Sequence, residues 1–215
     1  MKVRQPAVEG RFYPSTRSGI FDQIRRIEEQ GRYPIPEITP AHIYGGIIPH
    51  AGHVYSGHQT VPFFKMLQER KQQTQTYIIV HPNHTGIGSE IAIDSAGSWI
   101  NPVGEIPVDR ELASLMDLPF DNLAHLREHS AEVIVPFMQY YLEEEFSIVP
   151  ICIRDQTYEN ACRIASGIVG AAGNTSRKVM ILASCDFSHF LTPKEGRRKD
   201  DLVLERILSR DSRGV

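Results

Sequence analysis

Histidines are the unusual feature of this 215-residue sequence, which contains nine of them, eight within its first 129 residues. Two stand in proline-containing turns that follow short apolar runs: His50 after residues 43–48, and His84 after residues 76–80. Imidazole is the commonest metal ligand in proteins, and a non-haem iron site typically combines two histidines with one carboxylate. The positions of His50 and His84 therefore favour metal ligation, with hydrogen bonding to the loop backbone as the structural alternative.

A compact unit of acid and imidazole follows a third apolar run, residues 178–184. There Asp186 could orient an imidazole, accept a substrate hydrogen bond or ligate a metal. His189 could act as a general base beside a metal, because the unperturbed pKa of histidine is about 6.5. In the structural alternative, Asp186 caps the following turn and His189 packs against Phe190. Cys185 adjoins this unit and would be reactive if exposed, whereas a buried cysteine there would be inert.

Further polar residues lie near the same strand ends. His53 and His81 could contact a metal, although each is also compatible with a loop or helix-end role. Glu128 and His129 precede a helical pattern that Ser130 could cap, and their alternative role is as a pocket wall or an additional ligand. Spacing does not decide between these interpretations. Two other histidines are interpreted as structural: His42 and His125.

The elements that must position these residues alternate between strands and helices. Short β-branched runs, apolar on both faces and separated by helical patterns, predict a mainly parallel or mixed sheet with helices on both faces, a three-layer α/β/α fold. Open α/β sheets place their sites beyond the carboxyl ends of the strands. If the three runs are parallel neighbours, their polar ends meet in one crevice. Residues 95–108 are predicted as loop, and a helix over residues 130–145 is predicted to kink or break at Pro136.

Composition excludes several classes of protein. The chain is 41% hydrophobic and carries 23 Lys and Arg against 26 Asp and Glu, a formal charge of −3. This near balance argues against nucleic acid or an anionic membrane as partner, and no apolar run approaches the roughly 20 residues that cross a bilayer. Three cysteines without a C-x-x-C pair fit a reducing compartment. We expect one cytoplasmic globular domain over residues 1–215, with a small-molecule or peptide ligand and with oligomerisation left open.

Six motifs together resemble the Memo family in order and spacing. They are PAVEGRFYP (6–14), PHAGHVYSG (49–57), HPNHTG (81–86), a W-x-x-P-x-G element (99–104), EHSAEVIVPF (128–137) and SCDFSH (184–189). The resemblance covers nearly the whole chain, and six motifs in one order are far more specific than any single histidine. It implies an α/β fold similar to that of class III extradiol non-haem iron dioxygenases.

The resemblance also implies roles for particular residues. His50 and His84 would be metal ligands, with iron as the expected metal and zinc or copper as alternatives. His189 would match the catalytic base of the dioxygenases, with Asp186 lining the same pocket. Glu128 and His129 fall in a motif at that pocket, without an assigned role.

This sequence departs from the family pattern at three places. His53 stands where the family usually has Tyr, and His81 where it usually has Gly, so both changes add imidazoles to the expected pocket. Family chains normally continue past this C-terminus with a Cys that supplies a third metal ligand. We therefore expect either a chain truncated before this segment or a third ligand from elsewhere, with Asp186, His81 and Glu128 as candidates.

Three functions are compatible with these observations. The first is metal-dependent, oxygen-using chemistry like that of a non-haem iron dioxygenase or oxidoreductase, with His189 transferring a proton. The second is a non-catalytic module that binds a peptide or small ligand in the same crevice. The third is a metal-assisted hydrolase, in which the metal lowers the pKa of bound water toward about 7.

Overall fold

The computed structural model describes residues 2–37 and 42–215. They form two compact units, Met1–Cys185 and Asp186–Val215. The single domain expected over residues 1–215 stays a prediction. None of the described helices is both long enough and apolar enough to cross a membrane.

The first unit alternates helices with strands, as the sequence pattern predicts. Its elements are β1 (Val3–Arg4), α1 (Arg17–Gln30), β2 (Gly45–Ile48), α2 (His53–Arg70), β3 (Thr76–Pro82), β4 (Ile91–Ile93), β5 (Ser98–Asn101), β6 (Gly104–Pro107), α3 (Arg110–Ser114), α4 (Val135–Tyr141), β7 (Ser147–Ile153), α5 (Tyr158–Gly173) and β8 (Val179–Ser184). A 3-10 turn lies at Asn122–Ala124. The second unit contains α6 (Pro193–Leu208), which begins with a capping box between Thr192 and Glu195.

The central sheet has the strand order β2-β8-β3-β7-β4. β2, β8, β3 and β7 run parallel, and β4 is antiparallel to β7. The three apolar runs of the sequence analysis correspond to β2, β3 and β8, and β8 lies between the other two. They are therefore the parallel neighbours that the crevice prediction required, and the mixed sheet is confirmed.

Helices cover both faces of this sheet because successive side chains of a strand point to opposite faces. On β3, Tyr77 and Ile79 join a core cluster that includes residues of α1, α2 and α4. Ile78, between them, joins a second cluster with residues of α3 and α5. Each fully buried isoleucine contributes roughly 1.5–3 kcal/mol through burial. The three-layer α/β/α prediction is confirmed.

The loop predicted over residues 95–108 is wrong, since this segment forms the antiparallel pair β5-β6, with β1 added in parallel to β5. Glycine and proline obscured the strand signal of Trp99 and Ile106, which are both buried. The turn is stabilised by Asn101, whose Oδ1 accepts hydrogen bonds from the backbone N–H of Val103 at 2.8 Å and of Gly104 at 3.3 Å.

The start predicted for the helix over residues 130–145 is also wrong. The helix does not continue across Pro136: α4 starts at Val135, and Pro136 occupies its first turn. Proline suits this position, since its missing N–H would have had no partner within the helix. The helix is therefore shorter than predicted, and Ile134 rather than Ser130 stands at its N-cap. Residues 125–134 form turns that can present polar side chains to the sheet edge.

A buried carboxylate joins the N-terminal arm to these turns. Glu132 accepts hydrogen bonds from Arg4 Nη1 at 2.5 Å, from the backbone N–H of Ala7 and Val8 at 2.8 and 3.0 Å, and from the Tyr13 hydroxyl at 2.6 Å. Charge-assisted hydrogen bonds of this kind are about twice as strong as neutral ones. They fix an arm that has little regular structure of its own.

The Arg4 guanidinium uses its remaining donors on the same turns. It donates to the carbonyl oxygens of His125, at 3.0 and 3.2 Å, and of Glu128, at 2.5 Å. The Cζ atom of the guanidinium lies 4.2 Å from the centroid of the Trp99 ring, in a cation–π arrangement. The backbone that carries Glu128 and His129 is therefore held by a buried charge.

We expect Glu132→Gln to lower the free energy of unfolding by about 3–5 kcal/mol, because it leaves the buried Arg4 guanidinium without its carboxylate. Urea denaturation followed by circular dichroism measures this change. The control is Asp22→Asn, which removes a half-exposed pair with Arg25 and should cost less than about 0.5 kcal/mol. Equal losses in the two variants would contradict the role assigned to Glu132.

Candidate metal centre

Three imidazoles lie close together beyond the carboxyl ends of β2 and β3. The ring centroids of His84 and His129 are 4.7 Å apart in a stacked pair, and His50 lies 5.2 Å from His84 and 5.9 Å from His129. His50 follows β2 by two residues, His84 follows β3 by two, and His129 comes from the turns before α4. One donor atom from each of His84, Glu128 and His129 lies within 4.8 Å of the other two.

Glu128 holds two of these histidines in place. Its Oε1 accepts hydrogen bonds from His84 Nδ1 at 2.9 Å and from the backbone N–H of His129 and Ser130 at 2.9 and 3.0 Å. Its Oε2 accepts from the backbone N–H of His84 at 2.5 Å. The His129 ring is also close, with Nδ1 3.4 Å from Oε1. This carboxylate therefore orients the imidazoles rather than facing solvent.

The hydrogen bonds of Glu128 also decide its charge. Burial by itself raises the pKa of this carboxyl, but hydrogen bonds from the His84 side chain and from the backbone of Ser130 and His84 outweigh burial. The pKa of Glu128 is consequently well below its usual range, and the group is an anion near neutral pH. An anion accepts the proton on Nδ1 of His84, so the ring lone pair lies on Nε2.

A similar argument gives the tautomer of His50. The Ser184 hydroxyl donates to the carbonyl oxygen of Ser130 at 2.7 Å, so it accepts a hydrogen bond from His50 Nδ1, also at 2.7 Å. The lone pair of the His50 ring is therefore on Nε2. His50 is buried, whereas about half of the His84 side chain is exposed, so the cluster borders solvent on one side.

The nitrogen donors of this cluster are of the kind that transition-metal ions bind, and one from each of His84 and His129 lie within 4.8 Å of each other. Metal-binding histidines almost always donate their second ring N–H to a carboxylate or another oxygen, as His50 and His84 do here. His129 adds a third imidazole beside them. Iron, zinc, copper and nickel all accept imidazole ligands, so the donor set is compatible with each of these metals.

The other two candidate histidines, His53 and His81, each contact different residues. His53 begins α2, donates from Nε2 to the carbonyl oxygen of Val133 at 2.8 Å and packs against the Phe137 ring with centroids 4.3 Å apart. His81 is buried at the end of β3, and its ring centroid lies 5.2 Å from that of His125. Both residues are at most 1% exposed.

The acid and the imidazole expected after β8, Asp186 and His189, both belong to the second unit. There His189 Nε2 lies 3.5 Å from Asp186 Oδ2, and the His189 ring centroid lies 5.8 Å from that of Phe190. The imidazole thus has both of the neighbours that the sequence analysis considered. Cys185 ends the first unit, is exposed, and donates its backbone N–H to the Ile48 carbonyl at 2.9 Å.

Sequence reasoning did not identify Ser184, and it left the roles of Glu128 and His129 open. One signal was present for Ser184, since it is the polar last residue of an apolar strand and pairs in register with Ile48, two residues before His50. For Glu128 and His129 the informative fact is the short α4, which leaves them in turns beside His84.

A family model described as Memo-like protein matches residues 4–215. The chain belongs to the Memo family. It is 39% identical to a MEMO1 family protein of Archaeoglobus fulgidus over 97% of this chain and 76% of the relative. It is 36% identical to one of Methanosarcina mazei, over 100% of this chain and 78% of the relative. The match confirms the resemblance of the six motifs.

In this Memo-family chain we expect stability to fall on acidification through His53. Burial lowers the pKa of His53 to about 4, more than its hydrogen bond to the Val133 carbonyl raises it. Between pH 6.5 and 4 the unfolded chain therefore binds more protons at this residue, and the free energy of unfolding decreases by up to about 3 kcal/mol as pH falls.

Urea denaturation at pH 7, 5.5 and 4.5 checks this dependence. His53→Gln keeps a donor for the Val133 carbonyl but cannot titrate, so its stability should decrease less steeply than that of the unchanged chain. His42→Gln, at a half-buried position, should leave the slope unaltered. A His53→Gln profile parallel to that of the unchanged chain would overturn the prediction.

Proposed function

We propose that this chain binds one transition-metal ion, iron(II) in preference, through His50, His84 and His129. We propose further that it performs oxidoreductase chemistry of the non-haem dioxygenase type on a small chelating molecule. The observation that carries the first step is the pair of oxygen-anchored imidazoles, His50 on Ser184 and His84 on Glu128. When bound, such an ion supplies Lewis acidity and one-electron chemistry toward dioxygen, with open positions beside its protein ligands.

The role of the surrounding residues follows from their contacts. The negative charge of Glu128 would offset part of the charge of a bound ion, and this carboxylate keeps the His84 ring oriented. Ser184 does the same for His50 through a neutral hydroxyl. The exposed side of His84 gives a ligand access to the centre. A substrate with two adjacent oxygen donors would occupy two open positions of such an ion.

Proton transfer is assigned to His189. Its Nε2 lies 3.5 Å from Asp186 Oδ2, so Nδ1 is the ring atom assigned to proton exchange. About half of the His189 side chain is exposed, which allows the proton to pass to solvent. Both residues lie in the SCDFSH motif, for which the family resemblance implies this role.

We expect His50→Ala and His84→Ala each to weaken iron(II) binding by at least about 100-fold, and Glu128→Gln by about 10–100-fold through the misoriented His84 ring. Competition with a chromophoric chelator under anaerobic conditions measures these affinities. The matched control is His42→Ala, which should bind as the unchanged chain does. Unchanged iron(II) affinity in the His50→Ala, His84→Ala double variant would contradict the proposed centre.

For His189→Ala we expect turnover to fall about 100-fold or more while iron content stays the same, because the group moves a proton and does not hold the metal. Oxygen consumption with a panel of catechols measures turnover. Activity that persists without oxygen would indicate a hydrolase, and tight binding of the catechols without turnover would indicate a binding module. Either result would replace the oxidoreductase proposal.

A further inference from the structure

A second cluster of metal-binding residue types lies inside the first unit. One ring nitrogen each of His81 and His125 and the sulfur of Cys152 lie within 4.8 Å of one another. All three residues are at most 1% exposed. They are distinct from the His50, His84 and His129 centre, and nothing in the proposed function uses them.

The register of the central sheet brings these residues together. On neighbouring parallel strands, His81 of β3 pairs with Cys152 of β7, so their side chains leave the sheet side by side. Cys152 also pairs with Ala92 of β4, and the Ala92 carbonyl oxygen lies 3.0 Å from His125 Nε2. Only small side chains, Ala92 and Ala124, form the apolar cluster around the sulfur, which leaves its approach to the imidazoles open.

Hydrogen bonding places both imidazole lone pairs in the interior. The Ser130 hydroxyl donates to the Pro82 carbonyl at 2.8 Å, so it accepts from His81 Nδ1 at 2.9 Å, and the lone pair of His81 is on Nε2. His125 donates from Nε2 to a carbonyl, so its lone pair is on Nδ1. These same two atoms are among five buried side-chain atoms of the described residues that have no hydrogen-bond partner.

Two buried acceptors without donors are costly. Each loses the hydrogen bond that it would make to water in the unfolded chain. The thiol of Cys152 carries one weak donor, which can serve only one of the two nitrogens. Its sulfur lies 3.8 Å from the carbonyl oxygen of Pro82 and 3.7 Å from that of Ala124, both acceptors for this donor. A metal cation would satisfy both lone pairs and the sulfur at once.

We propose that His81 Nε2, His125 Nδ1 and Cys152 Sγ together bind one soft d10 metal ion, Zn²⁺ or Cu⁺, in a buried structural site. Thiolate with imidazole is the donor set these ions share. Bonds of about 2.0 Å to nitrogen and 2.3 Å to sulfur place donors roughly 3.3–3.8 Å apart, and one nitrogen of each ring and the sulfur already lie within 4.8 Å of one another. The second ring nitrogens are already bound to Ser130 and to a backbone carbonyl, as in known metal sites.

The charges around the cluster are compatible with a cation. Burial lowers the pKa of both His81 and His125, so both rings are neutral ligands near pH 7. Burial raises the pKa of the Cys152 thiol, and the metal therefore displaces its proton: the S–H bond breaks, the S–metal bond forms, and one proton passes to solvent. With Cu⁺ the site is then neutral. With Zn²⁺ it carries one positive charge, which the carboxylates of Glu128, near His81, and Asp94, near His125, offset against the repulsion of the Arg4 guanidinium.

Cobalt(II) titration tests the site, because a thiolate ligand to cobalt gives a charge-transfer band in the near ultraviolet. The metal-free His84→Ala chain is used, so that the exposed centre does not compete. We expect one equivalent bound, the thiolate band, and its displacement by Zn²⁺. Cys152→Ser should lose the band and at least 100-fold in Zn²⁺ affinity, whereas Cys162→Ser, at an exposed cysteine, should keep both.

A second measurement does not depend on how the Cys152→Ser chain folds. X-ray absorption of the His84→Ala chain loaded with one equivalent of Zn²⁺, and separately of Cu⁺, should show one sulfur among the metal's ligands, and either ion behaving so supports the site. No uptake of either ion, a first shell without sulfur, or an unchanged band in Cys152→Ser would overturn the proposal. Because iron(II) binding through His50 is measured apart from this sulfur signal, failure of one proposal leaves the other standing.

Discussion

The buried Arg4 guanidinium is the group on which both histidine clusters depend. It pairs with the Glu132 carboxylate and donates to the backbone carbonyls of His125 and Glu128. A buried charge is tolerated only when its hydrogen bonds are complete, and here they are completed by one stretch of turns. That stretch carries the residues that orient or form both sites. The salt bridge between Arg4 of the N-terminal arm and Glu132 thus helps to fix the backbone of the turns that carry these residues.

Ser130 connects the two clusters through three separate atoms. Its backbone N–H donates to Glu128, which holds His84, and its carbonyl accepts from Ser184, which holds His50. Its hydroxyl accepts from His81 of the interior cluster. A shift of this residue would change the orientation of imidazoles in both places. Ser130 has no exposed surface, and its burial helps to keep it in position.

Periodicity and composition predicted the architecture because they report burial directly. Continuous apolar runs such as residues 76–80 can only lie between two layers, so they predict a covered, mainly parallel sheet. Strand ends followed by His50 and His84 then indicate the edge where a site forms. The errors have local causes. Pro136 lies in the first turn of a helix, which therefore begins later than predicted. Asn101 stabilises the turn of a hairpin whose strand pattern is interrupted by glycine and proline.

The sequence by itself determined the family, the layered fold and the edge of the sheet at which the histidines gather, since motifs, apolar runs and strand ends are local features. Only the tertiary structure decided which residues each imidazole lies beside. It placed His129 beside His84, and it paired His81 with Cys152 through strand register. The physical reason is that hydrogen-bond partners and register join residues more than 40 positions apart, and no spacing along the chain encodes them.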